Sequence, residues 1–188
     1  MVEYALKRKW YVLHTRSRFE NVVQEGLSRK SFEVYLPKIQ ARSKRRDRMQ
    51  MIHIPLFPGY VFVNSILDAH QQLEIVKTVG VVRFVGNSQG PLPVSDQAID
   101  SLKIMVHSDQ QILTGRRLRQ GEPVMVVSGP MTGVIGTFVR YRGQGRVVVN
   151  IQALGQYAAV EVDVADVEPV PRLLRPNFRT KPRRPITP

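Results

Sequence analysis

An α+β fold in two parts is predicted by three features of this 188-residue sequence. Up to about residue 108, strand-like and helix-like segments are mixed. From residue 121 the pattern changes to short valine-rich runs punctuated by glycine. Between them lies a polar, basic stretch with no period that buries a face. The first part reads as an α/β sandwich with a mostly antiparallel sheet, and the second as a small β-barrel.

Taken in order, Trp10–His14 is aromatic and apolar and predicts a first strand. Ser17 with Glu20 three residues on has the capping-box pattern of a helix start. Phe19, Val22, Val23 and Leu27 then share one helical face. Glu33–Leu36 predicts a strand ended by Pro37. Lys38–Ile54 predicts a β-hairpin or loop whose middle, Arg42–Arg48, is almost all charge. Phe57–Val63 predicts a strong strand. Asp68 is placed to cap a short helix with Leu73 and Val76 inside. Val81–Val85 predicts a strand closed by Gly86. Ser95 is placed to cap a third helix with Ile99, Leu102 and Val106 inward.

Residues 1–108 are therefore expected to form the first domain and residues 109–120 a linker. In residues 121–170 the runs Val124–Val127, Val134–Val139 and Val147–Ile151, and the alternation Val160, Val162, Val164, predict the barrel strands. Residues 171–188 carry five prolines and little apolar content, and are expected to be a disordered or extended basic tail.

Charge narrows the function. The net charge is +13, and it is not spread evenly: residues 1–50 hold 13 basic and 5 acidic side chains, and residues 171–188 hold 6 basic and none acidic. Such a distribution draws a protein to polyanions, nucleic acid first. The absence of cysteine excludes disulfides, thiolate metal sites and cysteine nucleophiles. No apolar run reaches the roughly 18 residues of a membrane span, and no signal peptide is visible. A cytoplasmic monomer without cofactor, metal or membrane partner is expected. No enzyme is expected either. His14, His53, His70 and His107 are scattered, HExxH, P-loop and GxSxG patterns do not occur, and Gly143-Gln-Gly145 reads as a hairpin turn.

Two segments carry a resemblance. Gly121 to Gly136 (GEPVMVVSGPMTGVIG) is similar to the KOW motif. Val124 and Val126 alternate into a core, Gly129-Pro130 turns the chain, and Gly133 and Gly136 permit close backbone approach. Trp10-Tyr11, Pro55–Val63 (PLFPGYVFV) and Gly80–Gly86 (GVVRFVG) followed by Pro93 together resemble the NGN domain of NusG-like factors. The joint match spans about residues 8–170.

The resemblance implies a non-enzymatic transcription elongation factor. Its N-terminal domain would bind the clamp helices of RNA polymerase, and its five-stranded KOW barrel would recruit a further factor such as Rho or a small-subunit ribosomal protein. Positions matching the family's clamp-binding depression are Trp10, Tyr11, Leu56, Phe57, Pro58, Tyr60 and Phe62. The period of a strand puts Tyr60 and Phe62 on one face. The basic balance points to the antitermination branch, the RfaH-like and UpxY-like proteins. Arg16 and Arg18 at the start of the first helix oppose its dipole, which suits nucleic-acid contact better than helix stabilisation. With Lys38, Arg42, Lys44, Arg45, Arg46 and Arg48 they form the candidate surface for DNA of the transcription bubble and nascent RNA. The alternatives are a general NusG-type factor that modulates pausing and Rho termination, and a ribosomal or RNA-binding KOW protein.

Overall fold

β1 (Lys9–Thr15) is central to the first sheet because its two faces are both apolar. Trp10 and Val12 face one core and Tyr11 and Leu13 the other, as the two-residue period requires. The computed structural model describes residues 7–42, 51–108, 110–116, 121–141, 144–151 and 153–170.

After β1 come α1 (Glu20–Arg29), β2 (Glu33–Tyr35), the paired strands β3 (Lys38–Arg42) and β4 (Met51–Pro55), then β5 (Tyr60–Ser65). α2 (Ala69–Val76) leads to β6 (Val81–Phe84) and three two-residue strands, β7 (Gly86–Asn87), β8 (Gly90–Pro91) and β9 (Pro93–Val94). α3 (Asp96–His107) ends this half. β1 pairs antiparallel with β5, from Lys9 opposite Ser65 to His14 opposite Tyr60. β6 and β9 lie along its other edge and β2 along β5. α1 and the buried Ile75 of α2 cover the face of Tyr11, Leu13, Val61 and Val63, whereas Ile99, Leu102 and Met105 of α3 cover the face of Trp10, Val12 and Phe62.

The caps show where local sequence decides. Asp68 accepts a hydrogen bond from Gln71 N–H at 2.7 Å, and Ser95 accepts one from Ala98 N–H at 3.3 Å, both as expected. Ser17 does not cap α1. The N-cap is Phe19, without a side-chain bond, because Arg18 takes a left-handed conformation (φ 64°) that separates Ser17 from the helix. Glu20 turns instead to the Gly59 N–H, 2.7 Å away. Three helical residues expected inside are exposed: Val22, Leu73 and Val76. In two-turn α2 the phase set by the Asp68 cap leaves Ile75 as its one buried residue. The strand expected from Phe57 begins only at Tyr60, because Pro58 and Gly59 (φ 83°) make a turn closed by Tyr60 N–H to the Phe57 carbonyl.

The second half is a six-stranded antiparallel sheet wrapped on its own apolar side chains, a small barrel of the expected class with one strand more than the five expected. Its strands are β10 (Leu113–Arg116), β11 (Glu122–Val126), β12 (Ile135–Tyr141), β13 (Gln144–Ile151), β14 (Gln156–Glu161) and β15 (Val167–Pro169), in the order β10-β14-β13-β12-β11-β15. β10 falls inside the stretch expected to be a linker. It is ordered by pairing, with Leu113 opposite Ala159 and Arg116 opposite Gln156. The alternation Val160, Val162, Val164 does not run as one strand. β14 stops at Glu161, and Asp163 caps a 3₁₀ turn over Val164–Asp166 through Ala165 N–H.

Candidate functional site

The loop Pro55–Gly59 is built by its neighbours. Leu56 N–H donates to the Pro37 carbonyl, Thr15 N–H to the Gly59 carbonyl, and Gly59 N–H to the Glu20 carboxylate. Leu56 and Phe57 are thereby driven inward while Pro58 is left exposed. Along β5 the side chains alternate, so Tyr60 and Phe62 share a face and Val61 and Val63 take the other. Phe62 is buried, with its ring centroid 6.2 Å from those of Phe57 and Tyr35. Tyr60 is half-buried, its ring 5.5 Å from that of His14.

Of the seven aromatic and apolar positions predicted for partner binding, five are therefore interior: Trp10, Tyr11, Leu56, Phe57 and Phe62. Trp10 and Tyr11 stand on opposite faces of β1 and cannot belong to one surface. Lys103 of α3 lies over Trp10, its Nζ 5.5 Å from that ring's centroid and 5.9 Å from that of Tyr35. Burial raises the pKa of the Tyr35 hydroxyl well above its ordinary 10, and burial also raises that of Tyr11.

Pro58 and the Tyr60 partner His14 border an open depression of about 700 Å³. Arg16 and Arg18, both exposed, line it as well, with Asn21 and Val82. The main chain fixes this meeting. Arg16 N–H donates to the Gly80 carbonyl and Phe19 N–H to the Arg16 carbonyl, which carries the loop past Gly59. Lys38 does not join them. Its Nζ reaches Gln24 Oε1 at 3.3 Å, at the root of the β3–β4 hairpin. Arg42 ends β3, with its side chain outside the described residues, where Lys44, Arg45, Arg46 and Arg48 also lie.

In the barrel, Val124 and Val126 are buried. Gly121, Gly129 and Gly133 have φ of 135°, 78° and 91°. Thr132 N–H closes the Gly129-Pro130 turn on the Gly129 carbonyl. A Cβ on Gly136 would lie 2.5 Å from the Val148 carbonyl oxygen, so this position has no room for a side chain. Among the described residues no group of three or more His, Asp or Glu could hold a metal ion, and no helix is long and apolar enough to cross a membrane.

A family model described as transcription termination factor NusG matches residues 8–103, just over half of the chain. The chain belongs to the NusG family. Among relatives, the transcription termination/antitermination protein NusG of Halalkalibacterium halodurans is 24% identical over 180 residues, covering 88% of this chain and 100% of that protein. The NusG of Thermus thermophilus is 28% identical over 178 residues, covering 85% and 97%. The solved structure of Thermotoga maritima NusG, at 24% identity, covers 89% of this chain and 99% of that one with a TM-score of 0.50, a likeness of fold.

Within this NusG-family chain, sequence reasoning missed Asn21 and Val82 beside the arginines. His14 Nδ1 is buried and finds no hydrogen-bond partner among the described residues. Exposed Val82 was assigned only to a strand, and nothing in its local pattern sets it apart. The register that brings it to Arg16 is long-range.

Proposed function

We propose that this chain is a transcription elongation and antitermination factor that docks on the clamp helices of RNA polymerase through its N-terminal half. Tyr60 and Pro58 make the contact, and Trp10, Leu56, Phe57 and Phe62 form the rigid apolar backing beneath them. Arg16 and Arg18 hold nucleic acid beside that contact, with the basic segment Arg42–Arg48 reaching further along it. The observation that carries this reading is the shared depression, which Pro58, Arg16 and Arg18 line together. A factor bound to polymerase and nucleic acid at once favours the closed clamp by its differential affinity, and the open states needed for pausing lose population.

The test is pause and terminator read-through on stalled elongation complexes. The protein is expected to speed escape. Tyr60→Ala should abolish the effect, and Arg16→Ala with Arg18→Ala should weaken it most at low salt and less as salt rises. Slower escape would reverse the sign of the activity while keeping the docking. Absence of polymerase binding would sink the reading.

A second reading, a general factor that modulates pausing and Rho termination, is favoured by the names of the relatives, which pair termination with antitermination. In both readings the KOW barrel is the arm for a further partner, Rho or a small-subunit ribosomal protein.

A further inference from the structure

β6 runs beside β1 with one residue too many. Leu13 is opposite Phe84 and His14 opposite Arg83, but Thr15 is opposite Val81, so Val82 has no partner across the ladder. A bulge of this kind re-aims side chains. Without it Val82 would fall opposite Thr15, on the face where Phe84 packs with Leu13. With it, Val81 takes that inward place, and Val82 stands 46% exposed in the depression with His14 and Arg16.

The same register leaves a row of three residues across three strands. Tyr60 of β5 is opposite His14, and His14 is opposite Arg83. Residues directly opposite share a face. The row therefore lies on the aromatic side of the sheet, one strand period beyond Val12. Tyr60 and His14 are half-buried, and Arg83 is exposed. The His14 ring, 5.5 Å from that of Tyr60, fills the space between the phenol and the guanidinium. Among the described residues no acidic side chain answers Arg83: the ion pairs there belong to Arg29, Lys30, Lys103 and Arg146. Glu20, in the neighbouring depression, holds its carboxylate against the Gly59 N–H at 2.7 Å.

We infer that Arg83 receives a carboxylate from the polymerase helix that docks on Tyr60 and Pro58, and so fixes how that helix lies. The inference rests on the docking reading above and adds the chemistry of the partner: an apolar helix face with an acidic side chain on one flank. Neighbouring strands lie about 4.8 Å apart, so Tyr60 and Arg83 are separated by about 10 Å. A helix with its side chains is about as wide. One helix lying over His14 can rest apolar side chains on Tyr60 and Pro58 and turn a carboxylate to Arg83. A guanidinium suits the task, because its planar fork matches a carboxylate and is weakly hydrated. The row favours protein over phosphate here. Arg83 stands in line with the aromatic contact, whereas Arg16 and Arg18 lie in the loop after β1.

The experiment measures binding of full chains to core RNA polymerase without nucleic acid, with thermal melts to check the fold of each form. Arg83→Gln and Arg29→Gln each remove one positive charge, but Arg29 is on α1, against the opposite face of the sheet. Arg83→Gln is expected to weaken binding about fivefold at low salt, and the difference should shrink as salt rises. Arg29→Gln should bind like wild type. Arg83→Lys keeps the charge and adds a primary amine. Treated with a carbodiimide in the complex, it should form an amide with a polymerase carboxylate, located by peptide mapping. Equal affinity of the two glutamine variants, with Tyr60→Ala still defective, would overturn the carboxylate contact and leave the docking reading standing. So would the lack of an amide at position 83. A loss confined to complexes that hold a nucleic-acid scaffold would assign Arg83 to phosphate and overturn the inference as well. If no form binds, or Tyr60→Ala binds like wild type, the docking reading fails and takes the inference with it.

Discussion

Gly80 and Phe19 are packed so closely that no side chain fits between them: a Cβ on Gly80 would lie 2.8 Å from Phe19 Cδ1 and 2.9 Å from Val23 Cγ2. Gly80 also has φ 93°, a conformation that L-residues rarely adopt. Gly80→Ala is expected to cost about 2–4 kcal/mol, from backbone strain and overpacking together. The urea midpoint should fall with the slope unchanged. Because the Gly80 carbonyl accepts the Arg16 N–H, nucleic-acid binding should weaken as well.

Tyr35 supplies a second test. Its hydroxyl is buried and has no hydrogen-bond partner among the described residues. Tyr35→Phe should therefore be neutral or stabilise by about 1–2 kcal/mol at pH 7. The pH dependence has a definite sign. Burial raises the folded-state pKa above 10, so the folded protein holds a proton that the unfolded chain gives up once pH passes 10. Stability is fully present below pH 10 and falls as pH rises beyond it. Tyr35→Phe should flatten that fall in thermal melts between pH 9 and roughly 11, leaving the smaller contribution of Tyr11 in place.

The arginines of the depression should show themselves in salt titrations. If Arg16 and Arg18 each neutralise one phosphate of a single strand, replacing both with alanine should reduce the slope of log affinity against log salt by about 1.4. A surface merely solvated there would leave the slope unchanged.

Glu20 is expected to matter through Gly59 rather than through its own helix. Glu20→Ala removes the acceptor of the Gly59 N–H and should cost about 1–3 kcal/mol. Amide exchange at Gly59 should accelerate more than exchange in the centre of α1. Tyr60 follows directly in the chain, so polymerase binding should fall with it.

Much of the fold was legible because its signals are local. The two-residue period of β1 and β5 predicts which side chains share a core, and Asp68 and Ser95 announce their helices by caps alone. The failures share a cause too. Ser17 matches a capping box, but the left-handed Arg18 and the long-range bond from Gly59 take Glu20 elsewhere. β10 has no apolar period, and its order comes from β14, whose paired residues lie 40 to 46 positions later. The candidate site divides in the same way. That Tyr60 and Phe62 share a face follows from strand geometry. That Phe57 and Phe62 are interior while Pro58 meets Arg16 depends on the β1–β5 register and on the Thr15–Gly59 bond, which no window of sequence contains.

The placement of β10 sets the length of a leash. From Ser108 at the end of α3 to Leu113 the chain has five steps, a reach of about 17 Å at full extension. If β10 peels from β14, the free span runs from Ser108 to Glu122 and the reach grows to about 48 Å. With β10 paired, an undocked barrel still searches a small volume around α3, and its effective local concentration stays high. Four residues of strand thereby decide whether release of the barrel is a brief excursion or a lasting departure.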